Sequence, residues 1–167
     1  MNPTAAKASH ALLATVFFLV AACGSSGGGN NSAGVSSPSP TAAPNVLAQS
    51  ETVAGKTETI LTDTKGMTLY LWKKDTGTGK VDCVGGCAAI WPPFVLPAGT
   101  AKAVGGAGVA GTLTTVANPE GKGQQVLYNG WPLYYYVKDK NPGDTTGQGV
   151  GGNWFVVTPD QSPNTSG

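Results

Sequence analysis

"NGWPLYYYVKD" (residues 129–139) and, sixty-four residues upstream, "KGMTLYLWKKD" (residues 65–75) are two versions of one phrase. Gly66 aligns with Gly130, Leu69 with Leu133, Tyr70 with Tyr134, Trp72 with Tyr136, Lys74 with Lys138, Asp75 with Asp139 and Gly79 with Gly143. Further on, the "VGG" at 84–86 meets the "VGG" at 150–152 at an offset of 66, and Trp91 meets Trp154 at 63. Drift of that size is what short loop insertions produce, so the chain carries an internal duplication with copies of about 45 to 50 residues.

Local chemistry predicts what each copy does. "QQVLY" and "WPLYYYV" flank Asn129 and Gly130. Asn-Gly between extended runs marks a tight hairpin, because both central residues need positive φ. In the first copy "TETILT" and "MTLYLW" flank a longer turn, "DTKG" (residues 63–66). "TLTTV" opens the second copy, "NWFVV" supplies a further strand, and "CAAIW" is one helical turn that Pro92 and Pro93 stop. In a strand, alternate residues share a face. Tyr70 and Trp72 therefore lie opposite Leu69 and Leu71, and Tyr134 and Tyr136 lie opposite Leu133, Tyr135 and Val137. Both faces are apolar, as in strands covered on both sides. The expected fold is mainly β: duplicated β-hairpin units forming one small barrel or sandwich, with at most a short helical turn. It occupies residues 57–160, with copies at about 57–97 and 111–160, a tail at 161–167, and neither half stable alone.

The 167 residues suit one domain. All ten basic residues are lysine, opposed by nine acids. Arginine is the preferred reader of phosphates and base edges, so its absence argues against a nucleic-acid partner. Twenty-five glycines and twelve prolines favour turns and short strands over long helices.

Residues 1–22 read as a signal peptide: Lys7 and His10, then the apolar run "ALLATVFFLV" (11–20). That run is shorter than the about 20 apolar residues a spanning helix needs. "LVAAC" (19–23) resembles the lipobox of bacterial lipoproteins. The resemblance implies cleavage before Cys23, a diacylglycerol thioether on its sulfur and acylation of the new amine. The alternative is an ordinary secretory signal cut near Ala22. Residues 23–56, the lipidated cysteine and a Gly/Ser/Pro-rich stretch, read as a disordered linker reaching about 30 Å. The expected place is the extracytoplasmic face of a bacterial cell membrane, with the membrane itself the partner through the lipid on Cys23. Export removes His10, the one histidine. Ser-His-Asp systems, H-E-x-x-H zinc sites and histidine-ligated copper or haem are thereby excluded. No cofactor is expected.

The repeated phrase has the form Y-x-[FWY]-x-x-D, at Tyr70, Trp72 and Asp75 and again at Tyr134, Tyr136 and Asp139. It resembles the secreted-repeat bacterial lipoproteins known by that motif. "CVGGCAAIWPP" (83–93) and "GQGVGGNWFVV" (147–157) are similar to the segments that follow it in that family. The resemblance covers about 57–160 and implies an envelope lipoprotein domain without an enzyme activity to carry over. The second copy departs from the first in having no cysteine.

Three groups of residues are candidates for chemistry. Cys83 and Cys87, outside the cytoplasm, favour a structural disulfide worth about 2 kcal/mol by loop entropy. A redox-active pair or a copper(I) thiolate site are the alternatives. Asp75 and Asp139 favour turn capping, with carboxylates accepting from amides two residues on; paired catalytic carboxylates of an envelope hydrolase are the rival. Asp139, Asn141 and Asp144 lack the distal glutamate of a calcium loop, so neither a metal site nor a catalytic residue is assigned. Tyr70, Trp72, Trp91, Tyr134, Tyr136 and Trp154 are candidate ligand-contact residues. They would face an envelope glycan, a small apolar ligand or a protein partner, against the plainer role of filling the core. The expected function is non-enzymatic binding or scaffolding at the cell envelope.

Overall fold

A computed structural model describes residues 42–160. The signal segment, Cys23, most of the linker and the 161–167 tail lie outside the described residues. The fold is mainly β. Strands β1 (Leu47–Val53) and β2 (Lys56–Thr62) form a hairpin, β3 (Tyr70–Trp72) pairs with β7 (Trp154–Val156), and β4 (Leu113–Ala117), β5 (Gln124–Tyr128) and β6 (Trp131–Pro132) make a meander. Among the described residues the α-helix is a single short turn, α1 (Gly86–Ile90), which ends before Pro92 and Pro93. The sheets have two, two and three strands, none closed into a barrel, and isolated bridges join them.

The first strand corrects the expected start of the folded unit. The sequence leaves residues 47–53 in the linker; they are β1, paired along its length with β2. The physical reason is a hairpin turn hidden in "VAGK". Ala54 and Gly55 both take positive φ, 48° and 81°, and Val46 and Val53 are buried. The Asn129-Gly130 turn behaves as expected, with φ of 48° and 87° between β5 and β6.

The two copies exchange their third segments. In the first copy Leu69 N–H donates to Leu61 O (2.9 Å), and Val157, from the second copy, completes the set: Leu61 N–H donates to Val157 O (2.7 Å) and Val157 N–H to Leu69 O (3.1 Å). The second copy repeats this with Phe94 from the first. Leu133 N–H donates to Val126 O (3.0 Å), Val126 N–H to Phe94 O (2.9 Å) and Phe94 N–H to Leu133 O (2.9 Å). At the centre Tyr70 and Tyr134 each donate N–H to the other's carbonyl at 2.9 Å. Every one of these bonds has its partner under exchange of the copies, so the domain has a pseudo-twofold axis through the Tyr70–Tyr134 bridge.

Period two then sorts the side chains into two cores. Leu61, Leu69, Leu71, Val126, Leu133, Phe94 and Val157 pack on one side, with Tyr128 and Tyr135. Ile60, Tyr70, Tyr134, Tyr136, Trp91, Trp154 and Val156 pack on the other, with Cys83 and part of Trp72. Central strands sandwiched between an aliphatic and an aromatic layer account for the doubly apolar strands of the sequence. Val137 is the exception: it lies on the outer margin, exposed.

Candidate functional site

The aromatic core is the place where the repeated residues meet. Trp72, Trp154, Trp91 and Tyr136 form one stack of four rings. Centroid separations are 5.2, 3.9 and 4.1 Å in that order, and interplanar angles are 7°, 2° and 19°. The axis passes between Trp154 and Trp91, which are equivalent positions, and the outer rings, Trp72 and Tyr136, are equivalent as well. Tyr70 stands edge-on to Trp91 at 5.4 Å and Tyr134 edge-on to Trp154 at 5.3 Å. Stacked and T-shaped pairs at these separations add to area burial. Trp91 and Trp154 are only 4% and 6% exposed, and Tyr70 and Tyr134 are wholly buried. Of the six candidate contact residues only Trp72 is half-buried rather than buried, with the Lys74 ammonium 5.5 Å from its ring centroid. Rings set on the inward face of paired strands take the plainer of the two roles and fill the core, with Trp72 at its margin.

The motif's Tyr and Asp bind each other across the copies. Tyr70 O–H donates to Asp139 Oδ2 (2.6 Å), and Tyr134 O–H donates to Asp75 Oδ2 (2.8 Å). The other oxygen of each carboxylate takes an amide seven residues on. Asp82 N–H reaches Asp75 Oδ1 (3.0 Å) and Thr146 N–H reaches Asp139 Oδ1 (3.1 Å), with the Thr146 hydroxyl beside it. The expected capping of amides two residues on is therefore corrected. The loop after each motif is longer, and one oxygen is turned inward to the phenol. Asp63 and Asn118 show the shorter geometry instead, accepting from Lys65 N–H (2.8 Å) and Glu120 N–H (3.0 Å). Each phenol also receives an amide, Gly147 N–H on Tyr70 (3.2 Å) and Cys83 N–H on Tyr134.

Electrostatics follow from this burial. Burial first, then the facing carboxylate, pushes the Tyr70 and Tyr134 phenols well above the usual tyrosine range. Tyr135, on the aliphatic side, is raised by burial and by Asp63, whose Oδ2 accepts its O–H at 2.9 Å. Burial raises the Asp75 carboxyl above the ordinary carboxylate range, against the pull of the Asp82 amide and the Tyr134 hydroxyl.

Cys83 and Cys87 are joined in a disulfide. It staples the loop after the first motif, with Cys83 inside the aromatic core and Cys87 at its margin. Gly147 stands at the position equivalent to Cys83. A Cβ there would lie 2.8 Å from Tyr70 and 2.9 Å from Trp91, so the second copy has no room for a side chain at that point. Asp144 faces its own loop: its Oδ2 accepts from Lys140 and Asn141 amides (2.8 and 2.9 Å), which lowers its carboxyl, while Asp139 is turned inward. Among the described residues no group of three His, Cys, Asp or Glu gathers as a metal site, and no helix is long and apolar enough to cross a membrane.

Sequence reasoning placed the motif residues on their correct faces and missed three features. The first is the exchange of third segments, which an offset cannot show. The second is the pairing of Tyr with the other copy's Asp. The third is Asp63 beneath Tyr135; its signal was the "DTKG" turn, where an Asp at the first position has one oxygen to spare. No curated protein and no solved structure matches the chain. One family matches it twice, at residues 51–95 and 114–158, and is described as a secreted repeat of unknown function. The two matches cover the two copies whose segments interlock around the Tyr–Asp pairs, and the chain belongs to that secreted-repeat family.

Proposed function

We propose that this protein is a lipid-anchored, non-enzymatic scaffold on the extracytoplasmic face of a bacterial membrane. The observation that carries the scaffold reading is the reciprocal Tyr70–Asp139 and Tyr134–Asp75 pairing. The residues that a duplicated hydrolase would need are buried and bonded to each other, with both oxygens of each carboxylate occupied. A secreted family supports the extracytoplasmic place, and "LVAAC" at 19–23 supports the lipid on Cys23. Two or more acyl chains hold firmly, each buried CH₂ contributing about 0.8 kcal/mol. Trp72, the half-buried motif ring with the Lys74 ammonium over it, is the proposed point of contact with an envelope glycan or protein.

Detergent phase partition of the protein from its own host, with mass spectrometry of the mature N-terminus, tests the anchor. Wild type should enter the detergent phase with acyl mass on Cys23, and Cys23→Ser should stay aqueous. An unmodified N-terminus starting elsewhere would overturn it. Asp75→Asn and Asp139→Asn variants test the scaffold: both should lose stability, and the folded fraction should keep the host phenotype. A folded variant that loses the phenotype would sustain the hydrolase instead.

A further inference from the structure

The aromatic core holds more than packing requires. A phenol buried against apolar rings is satisfied by a neutral acceptor, yet both motif tyrosines point at carboxylates, which are costly to bury. Asp75 is wholly buried and Asp139 is 6% exposed. These carboxylates stand at the one place where their charge has chemical use. Indole and phenol are the aromatic side chains that give up a single electron most readily, and a phenol that does so becomes a strong acid. It can be oxidised inside a protein only if a base takes its proton in the same event. Here the base is already in place, 2.6 Å from the Tyr70 oxygen and 2.8 Å from that of Tyr134.

The ring stack supplies a route from the surface to those phenols. Trp72 is half-buried, the one ring of the stack that keeps more than marginal exposure. Behind it Trp154 and Trp91 lie in parallel contact, 3.9 Å between centroids, and each is touched edge-on by one of the two phenols.

We propose that the stack is a one-electron relay that carries an oxidising equivalent from Trp72 to Tyr134 or Tyr70. A radical oxidant, such as a peroxyl radical, takes one electron from the Trp72 indole and is itself reduced. The electron hole moves to Trp154 and Trp91. Tyr134 or Tyr70 then returns one electron to the indole, and its O–H proton passes to Asp75 or Asp139. The products are a restored indole, a neutral phenoxyl and a neutral carboxylic acid. One oxidant is reduced and one tyrosine is oxidised, and the proton stays within the pair. The step also removes two charges at once, the indole radical cation and the carboxylate, from an interior where separated charges are costly. Burial makes Asp75 a stronger base than an exposed carboxylate, which favours proton transfer from Tyr134. The relay does not depend on the lipid anchor.

Pulse radiolysis of the full chain with azide radical as the oxidant, followed by transient absorption, tests the proposal. Wild type should show an indolyl signal converting to a phenoxyl signal at a rate independent of protein concentration, and slower in heavy water. The double variant Tyr70→Phe/Tyr134→Phe should retain the indolyl signal. Asp75→Asn/Asp139→Asn should slow the conversion by about tenfold or more, equivalent to about 1.4 kcal/mol of barrier. Indolyl decay in wild type only by encounter between molecules would overturn the proposal without need of any variant. So would conversion that persists unchanged in the double phenylalanine variant.

Discussion

Asp139 gains its place through Tyr70 of the other copy, and the balance of the two is measurable. Hydrogen bonds to charged groups contribute about 1.5–3 kcal/mol, and leaving a buried partner unsatisfied costs about as much again. Tyr70→Phe and Asp139→Asn are each expected to lose about 1–3 kcal/mol of unfolding free energy. Their double mutant should lose less than the sum, a coupling of about 1 kcal/mol or more read from urea denaturation. Tyr134 and Asp75 should couple likewise. The same burial gives an alkaline prediction. Tyr70, Tyr134 and Tyr135 have folded-state values above the unfolded value of about 10, so the native state holds these protons more tightly. Stability from that source is complete below about pH 10 and drains away as pH rises past it. Thermal melts at pH 9 and pH 11 should show a steep loss in wild type and a shallower one in Tyr135→Phe. Equal slopes would mean that Tyr135 ionises as freely in the fold as out of it. At this scale the sequence was half legible. Period two told which face each ring takes, because side-chain direction in a strand is local. It could not tell that Asp139 serves Tyr70, because that contact spans 69 residues and depends on the axis.

Turns and staples show the same divide at the level of elements. Gly130 has φ 87°, and a Cβ on it would run into the carbonyl of Gly77, where Gly79 N–H also donates to Gly130 O at 2.8 Å. Gly121 has φ 70° with open space around it. Gly121→Ala should therefore cost only the left-handed strain of about 1–2 kcal/mol. Gly130→Ala should cost distinctly more, since backbone must move in the other copy. Comparable losses would mean that the Gly77 loop yields freely. The Cys83–Cys87 bridge closes a short loop, and Cys83→Ser/Cys87→Ser should lose about 2 kcal/mol while the protein still melts cooperatively. The Asn129-Gly130 hairpin was legible because Asn-Gly specifies its own turn. Strand β1 was not, because Ala54 at φ 48° is a residue that turn chemistry does not flag. A strand as polar as "LAQSETV" (47–53) beside a Ser-rich linker also lacks a sharp change of composition to mark its start.

For the whole molecule, the exchange of third segments decides what can fold alone. Residues 42–110 contain β1, β2 and β3, but the strand that pairs with β3 is β7, and Leu61 needs Val157. Residues 111–160 contain β4, β5, β6 and β7, but β7 pairs with β3, and Val126 and Leu133 need Phe94. The ring stack is divided in the same way: Trp72 and Trp91 fall in one half, Trp154 and Tyr136 in the other. The first half taken alone keeps a two-stranded hairpin, which is marginal in water, the second keeps a small three-stranded meander, and each loses its partner's share of both cores. Neither half expressed by itself should give dispersed amide resonances or a cooperative melt. Mixed in equal amounts, the two should assemble one to one, because each supplies the segment that the other lacks. The melt of the complex should depend on concentration, as association linked to folding requires. Native mass spectrometry reads the stoichiometry and calorimetry reads the melt. A half that folds unaided, with its own third segment turned back onto its own hairpin, would show that the copies are separate units and that the axis at Tyr70 and Tyr134 is incidental. The expected result ties the sequence repeat to its physical cause, since a unit whose last strand belongs to its neighbour is stable only in pairs.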